Sequence, residues 1–356
     1  MNPTGTLAQV LALARWAPSG DNTQCWRFEI VADDHFFVHG FDTREHCVYD
    51  LDGHPSQISF GALLETVSIA ASAHGLRADV TRRTGCAEAR PQFDVRLVAD
   101  AAISASPLIN AITTRTVQRR PMSTRPLTAD DKAALEASVG PGYTVTWMEG
   151  FSAKFAAARL MFNNARLRLT MPEAFETHRK IIHWGVDRSP DRVPDKALGV
   201  DPATLVLMKW AMVSWKRMAT MNALSGTWAP RLQMDLIPGL ACAAHFVLKA
   251  KQKPVTIDDY VAAGRAVQRF WLTLTVRGLY MQPEMTPLIF SKYVRENTAF
   301  TTTVKLHGQA EKLRAQADQL IFTDALFPVY MGRLGAGPAP KARSERRSVD
   351  DLLKRD

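Results

Sequence analysis

Two stretches decide the fold: GALLETVSIAASAHGL at residues 61–76 and GRAVQRFWLTLTVRGL at residues 264–279. Each runs from a glycine to a glycine-leucine pair at the same spacing, Gly61 to Gly75 and Gly264 to Gly278. In the first, Leu63, Leu64, Val67, Ile69, Ala70 and Ala71 make a broad apolar stripe at helical spacing, and Gly75 is placed to stop the helix. Each stretch is followed by a strand-like segment opening on phenylalanine, FDVRL from Phe93 and FPVYM from Phe327. The repeat predicts an α+β chain of two pseudo-symmetric lobes, stacked like the subunits of a dimer, with the long helices packed centrally. We place the lobes at 1–106 and 107–356.

The first lobe reads as a helix over Thr4–Trp16, a turn at Pro18–Asn22, two strands either side of Asp33-Asp34, a helix starting near Ser59, and a strand at FDVRLVAD. The second adds a helix from Thr128, where Thr-Ala-Asp-Asp is a helix-start signal, a strand at YTVTWME and a long helix over residues 151–170. Residues 171–202 are poorly periodic and rich in proline. A helix over Ala203–Leu224, a buried strand at LACAAHFVLKA, a helix from Thr256 to Gly278 and a last strand at FPVYMGRLG complete the reading.

At 356 residues the chain exceeds the size at which one core stops growing, which favours two lobes. Hydrophobic residues at 46% and charged residues at 22% are ordinary for a globular protein. The formal charge is +9, with arginines gathered at Arg115, Arg119, Arg120, Arg125 and again at Arg343, Arg346, Arg347. Two short clusters without interleaved aromatic residues suit a phosphate pocket better than a nucleic-acid footprint, so no nucleic-acid partner is expected. Four scattered cysteines without a C-x-x-C, and an N-terminus with neither a basic leader nor a long apolar run, point to a reducing, cytoplasmic setting. No segment is apolar enough to span a membrane, and no membrane partner is expected. The histidines lack metal-site spacing, and no G-x-G-x-x-G or G-x-x-x-x-G-K occurs, so neither a metal nor a Rossmann or P-loop nucleotide is expected.

The sharpest local signal is RWAPSGDNTQCWR, Arg15–Arg27. A helix ends, and a polar turn exposes backbone N–H groups, the Ser19 hydroxyl and the amides of Asn22 and Gln24. An amide both donates and accepts, so it can read a heteroaromatic edge that carries carbonyls and N–H groups. The segment resembles the A-P-S-x-x-N-x-Q-P-W motif of the FMN-dependent nitroreductase family, with Cys25 in place of proline. That resemblance makes Ser19, Asn22 and Gln24 flavin contacts and Trp26 a packing residue. Arg115-Thr-Val-Gln-Arg119 is similar to the family's R-x-[ST]-x-R phosphate element, with Val117 where a hydroxyl is usual, and it implies Arg115 and Arg119 on the FMN phosphate. Guanidinium forks suit that task because they meet phosphate oxygens two at a time and stay charged.

The run AAGRAVQRFWLTLTVRGLYMQPEM from Ala262 resembles the family's penultimate helix and the loop whose backbone approaches flavin N5, implying Gln282, Pro283 and Glu284. The end of the chain, GRLGAGPAPKARSERRSVDDLL, is similar to the family's closing basic segment and implies Arg343 and Arg347 as further phosphate ligands. The order of these motifs resembles the single-chain, two-lobe (Acg-like) branch. By this resemblance the protein is an FMN-binding oxidoreductase that takes hydride from NAD(P)H to a small electron-poor acceptor, with no side-chain acid or base assigned. It works as a monomeric pseudo-dimer or a homodimer. The alternative is a degenerate member that sequesters FMN or serves as an accessory binding protein. Residues 171–235, rich in methionine and tryptophan, are either core packing or a lid over the flavin; Met208, Met212, Trp215 and Met218 share a helical face.

Overall fold

The computed structural model describes residues 2–355, apart from the side chain of Ser225. The opening helix, Gly5–Ala14, buries Leu7, Val10, Leu11 and Ala14 on one face; Thr4 is its extended N-cap and Arg15 its C-cap, which trims the expected span at both ends. Trp26–Ala32 and His35–Gly40 pair as the expected hairpin across Asp33-Asp34. The next helix, His54–Ser72, starts earlier than its apolar stripe suggested. Gly53 takes φ +78° at its N-cap and Pro55 sits in the first turn, where proline's missing N–H costs nothing. Gly75, at φ +65°, ends it. Across the sheet the strands lie in the order Trp26–Ala32, His35–Gly40, Gln92–Ala99, Leu76–Arg82.

The second sheet is laid out the same way. Its order is Tyr143–Met148, Ala244–Ala250, Phe327–Ala336, Leu279–Pro283. In each sheet the chain therefore visits positions one, two, four and three, every pairing is antiparallel, and a long helix joins the second strand to the third. The strand after each helix starts on leucine and pairs its first residue with the last residue of its neighbour, Leu76 with Ala99 and Leu279 with Ala336. Thr256 caps the second long helix, Ile257–Val276, in a reciprocal box with Asp259, and Gly278 at φ +70° follows it. Every residue of Ala244–Ala250 is buried, as expected of this strand, including His245 and Lys249 within its apolar run.

The two long helices cross at the centre of the molecule. A buried hydrogen bond from Gln268 to Thr66 (2.9 Å) and an ion pair of Arg265 with Glu65 (3.2 Å) tie them together. Ile257 and Val261 of the second helix complete the core packed on the first sheet, while Ile58 of the first helix joins the core packed on the second.

Four segments depart from the sequence reading. Residues 171–202 contain a helix, Pro172–Ile181. The single helix expected over Ala203–Leu224 is two, Pro202–Ala211 and Trp215–Ser225, because Ser214 turns extended and caps the second with its hydroxyl on the Arg217 N–H. Thr286–Arg295 and Val304–Leu320 are further helices, packed on Gly150–Leu169 around Phe290, Tyr293, Phe300 and Leu313. The basic C-terminal run, which alone reads as a solvated end, is a packed strap. Arg343–Ser344 pairs in parallel with Arg188–Ser189, and Leu352 is wholly buried in the core packed on the first sheet.

Candidate functional site

Three of the four non-glycine residues with positive φ among the described residues fall in one turn: Asp21 (+52°), Asn22 (+63°) and Gln24 (+48°). Such backbone costs on the order of 1 kcal/mol or more per residue and persists only where its surroundings hold it. Here the Ser19 Oγ accepts from the Gln24 N–H (2.9 Å), and the Gln24 amide is clamped on both sides. Its Nε2 donates to the Pro190 carbonyl (2.8 Å), and its Oε1 accepts from the Arg347 N–H (2.9 Å). The turn is thus held between the opening helix, the Pro190 loop and the C-terminal strap.

It forms one wall of a cavity of about 410 Å³. That volume lies in the range of roughly 300–1,000 Å³ typical of small-molecule sites. Of the ten residues the sequence singled out, seven line it: Ser19, Asn22, Arg115, Arg119, Gln282, Pro283 and Glu284. Gln24, Arg343 and Arg347 do not; they stand behind the wall. Arg343 donates to the Thr113 carbonyl (3.0 Å) and lies over the Trp16 ring, and Arg347 pairs with Asp191 (3.2 Å). Among the three residues of the Gln282–Glu284 strand end, the Glu284 N–H is taken up by the Met331 carbonyl (2.8 Å) and proline has none, so Glu284 meets the cavity through its side chain.

The chemistry sequence reading missed comes from distant segments. Asp21, Arg168, Asp235, Arg333 and Arg346 also line the cavity, making five arginines there against three carboxylates. Arg333 is bound to Glu284 (2.7 Å) and Arg168 to Asp235 (3.2 Å). Arg115 and Arg346 have no carboxylate. Arg115 donates to the Trp16 carbonyl (2.9 Å) and packs on the Trp271 ring; Arg346 donates to the carbonyls of Ala17 (2.9 Å) and Glu345 (2.7 Å). Burial pulls the guanidinium of Arg346 well below its ordinary value, helped by Arg115, Arg343 and Arg15, and burial lowers Arg115 to about 9. Arg115 and Arg346 therefore face Arg343, with Arg15 also beside Arg346; Glu345 acts on Arg15 and Arg343 but no carboxylate acts on Arg115 or Arg346, an arrangement that favours an anion. The Val117–Met281 bridge fixes Arg115 and Arg119 beside the Gln282 strand.

Several buried polar atoms of cavity-lining residues have no partner in the protein: Arg115 Nε, Arg333 Nε, Asn22 Oδ1, Gln282 Oε1 and Thr286 Oγ1. A buried polar group left unpaired costs about 1–3 kcal/mol until something meets it.

Behind Glu284 lies His245, fully buried, with Nδ1 2.7 Å from the Glu284 carboxylate and Nε2 2.8 Å from the Gly239 carbonyl. Both neighbours only accept, so both ring nitrogens donate and the ring is an imidazolium. Burial opposes that charge, but the Glu284 carboxylate outweighs it and raises the group to about 10. At the other end of the cavity His178 is held neutral. Burial and then Arg168 lower it to about 3, and it shares a 2.9 Å hydrogen bond with Tyr49. Asp21 is raised to about 6 by burial, against the pull of Arg119. The cavity is also methionine-rich, lined by Met161, Met208, Met212, Met218, Met221 and Met234. Among the described residues no group of three His, Cys, Asp or Glu is placed to hold a metal, and no helix is long and apolar enough to cross a membrane.

No family profile matches this chain, and no curated protein matches it. Solved structures do show a likeness. One is a nitroreductase-like family protein from Bacillus cereus, at 12% identity over 70% of this chain and 96% of that one, with a TM-score of 0.35. Another is the FMN-dependent nitroreductase NfnB from Mycobacterium smegmatis, solved with NADPH, at 12% identity over 69% of this chain and 96% of that one, TM-score 0.35.

Proposed function

We propose that this protein is an FMN-binding oxidoreductase of the nitroreductase type, acting on a small electron-poor acceptor with NAD(P)H as reductant. The observation that carries the reading is the arginine pair Arg115 and Arg346 on the cavity wall, without a carboxylate partner and backed by Arg15 and Arg343, among lining residues that carry unpartnered donors and acceptors. A phosphate there would supply the anion that the arginines lack. The amide of Asn22 and the side chain of Gln282 offer acceptors to a ring bearing N–H groups, and Arg333 Nε offers a donor to a ring carbonyl. These residues fit FMN. When bound, that group supplies two-electron hydride chemistry, and the protein supplies binding, orientation and electrostatics. The His245–Glu284–Arg333 network keeps net positive charge beside the cavity without exposing it to water.

The repeated strand order and the crossing at Gly61 and Gly264 support a duplicated chain, with lobes at 1–106 and 107–356, in which one polypeptide supplies both halves of the site. A lid role for residues 171–235 follows from their methionines on the cavity.

The test is an absorption spectrum of the freshly purified protein with identification of any released chromophore. Stoichiometric FMN is expected. A colourless protein that also fails to bind added FMN would overturn the reading. The second reading, an FMN-sequestering protein, is favoured by the methionine-lined cover over the cavity. Steady-state NAD(P)H oxidation separates the two, since rapid acceptor-dependent turnover eliminates sequestration.

A further inference from the structure

The helices Pro202–Ala211 and Trp215–Ser225 have two dissimilar faces. Inward they present Met208, Met218 and Met221 to the cavity. Outward, Val206 (71% exposed), Leu207 and Trp210, at spacings that place them on one side of the first helix, continue into Val213 (61% exposed) in the link between the two. Large aliphatic and tryptophan side chains do not stand in water for their own stability. The basic residues Lys209, Lys216 and Arg217 are exposed around this apolar patch, and the Arg217 guanidinium lies 5.3 Å from the Trp210 ring centre, joining the two helices' outer faces. From Pro202 to Met234 the chain carries Lys209, Lys216, Arg217 and Arg231 and no Asp or Glu. A protein partner with an apolar knob would not require that one-sided charge. An exposed apolar helical face with tryptophan at its edge and Lys209, Lys216 and Arg217 beside it, the nearest carboxylate in the chain being Asp201 at the helix N-cap, matches the headgroup boundary of an anionic bilayer.

We propose that the outer face of residues 206–217 docks this protein on an anionic lipid surface. The attachment is interfacial: the apolar side chains enter the boundary between headgroups and acyl chains, and Lys209, Lys216 and Arg217 stay with the lipid phosphates. It requires no spanning helix, so it stands beside the expectation of no membrane partner, which rested on span length. Docked this way, the two helices would lie between the lipid and the methionine-lined cavity. The proposal does not depend on FMN and stands or falls separately from the proposed activity.

The experiment is co-sedimentation of the full chain with vesicles of pure phosphatidylcholine and with vesicles of phosphatidylcholine mixed with phosphatidylglycerol. Pelleting with the mixed vesicles only, weakened by added salt, is the expected result. The double variant Lys216→Ala/Arg217→Ala should bind roughly thirtyfold more weakly, from about fivefold per basic group. Val206→Ser/Trp210→Ser should abolish pelleting, with circular dichroism unchanged because these side chains face outward. Lys251→Ala/Lys253→Ala, which removes two exposed charges elsewhere, should bind as the parent does. Equal loss in that control would reduce the effect to overall charge and overturn the proposal. So would absence of pelleting in the parent, or a sedimentation-velocity dimer that Trp210→Ser dissociates, since the face would then be covered by a second copy of the chain.

Discussion

Gly61 and Gly264 meet where the two long helices cross, and each is irreplaceable for the same reason. A Cβ on Gly61 would sit 2.0 Å from the Val261 carbonyl oxygen, and one on Gly264 would sit 2.0 Å from that of Ile58. Their Cα atoms lie inside each other's reach, so the contact is backbone on backbone and cannot yield by a rotamer change. Each of the two helices joins the second strand of its own sheet to the third.

Gly61→Ala and Gly264→Ala are therefore expected to destabilise. Alanine gains about 1 kcal/mol in helix propensity over glycine, but overpacking costs about 1–3 kcal/mol even where side chains can move, and here they cannot. A net loss of about 2 kcal/mol or more should appear in urea unfolding as a lower midpoint at unchanged slope. Gly308, in the helix Val304–Leu320 with open space where its Cβ would go, is the control: Gly308→Ala should stabilise.

The Glu284 carboxylate serves two cations at once, His245 and Arg333. Glu284→Gln leaves both buried and poorly paired, and should cost roughly 3–5 kcal/mol. The His245 group, at about 10, stands above its ordinary value, so its stabilisation is present below about pH 6.5 and is lost as the pH rises through 10. Glu284→Gln should flatten that alkaline decline. Following the ring of His245 by NMR across pH checks it directly: the parent ring stays charged through neutrality, and the variant ring does not.

His178 behaves in the opposite sense. Its folded value, about 3, lies below its ordinary one, so the unfolded chain takes up the proton first and stability falls as the pH drops below about 6.5. His178→Gln should remove that contribution, leaving a shallower acid limb in thermal melts between about pH 6 and pH 4.

If the arginine group holds a phosphate, Arg115→Ala should weaken FMN about tenfold to a hundredfold, as expected for loss of a charge-assisted hydrogen bond. Riboflavin, which lacks the phosphate, should bind parent and variant alike. Fluorescence titration of both flavins distinguishes this from a collapsed cavity, in which riboflavin would also be lost. Asp21, raised to about 6 at the same cavity, should make FMN bind more tightly as the pH falls through that value, and Asp21→Asn should erase the dependence.

Much of this was written locally. The helical stripe after Gly61, the cap at Thr128, the hairpin at Asp33-Asp34 and the turn at Pro18–Asn22 follow from side-chain spacing and turn chemistry within a few residues, and the structure has each of them. The Ser19–Asn22 turn borders the cavity at the end of the opening helix, which periodicity located, whereas Arg115 follows the short helix Ala111–Thr114 and Gln282–Glu284 close the strand Leu279–Pro283, neither of which periodicity marked.

What stayed hidden depended on pairings between distant segments. Within Arg343–Arg347 three arginines are equivalent by type, yet only Arg346 turns into the cavity, because the strap pairs in parallel with Arg188–Ser189 and that register alternates its side chains. Arg168 and Arg333 read as ordinary residues of a helix and a strand; only packing brings them opposite Asp235 and Glu284. The break at Ser214 was masked by continuous apolar periodicity, since a serine cap competes with helix continuation only when the next helix has somewhere else to pack. The sequence by itself determined the elements and the turn that borders the site, through interactions that close within a few residues. The tertiary structure alone decided which charges remain unpaired, because that depends on which partners long-range packing brings within hydrogen-bond reach.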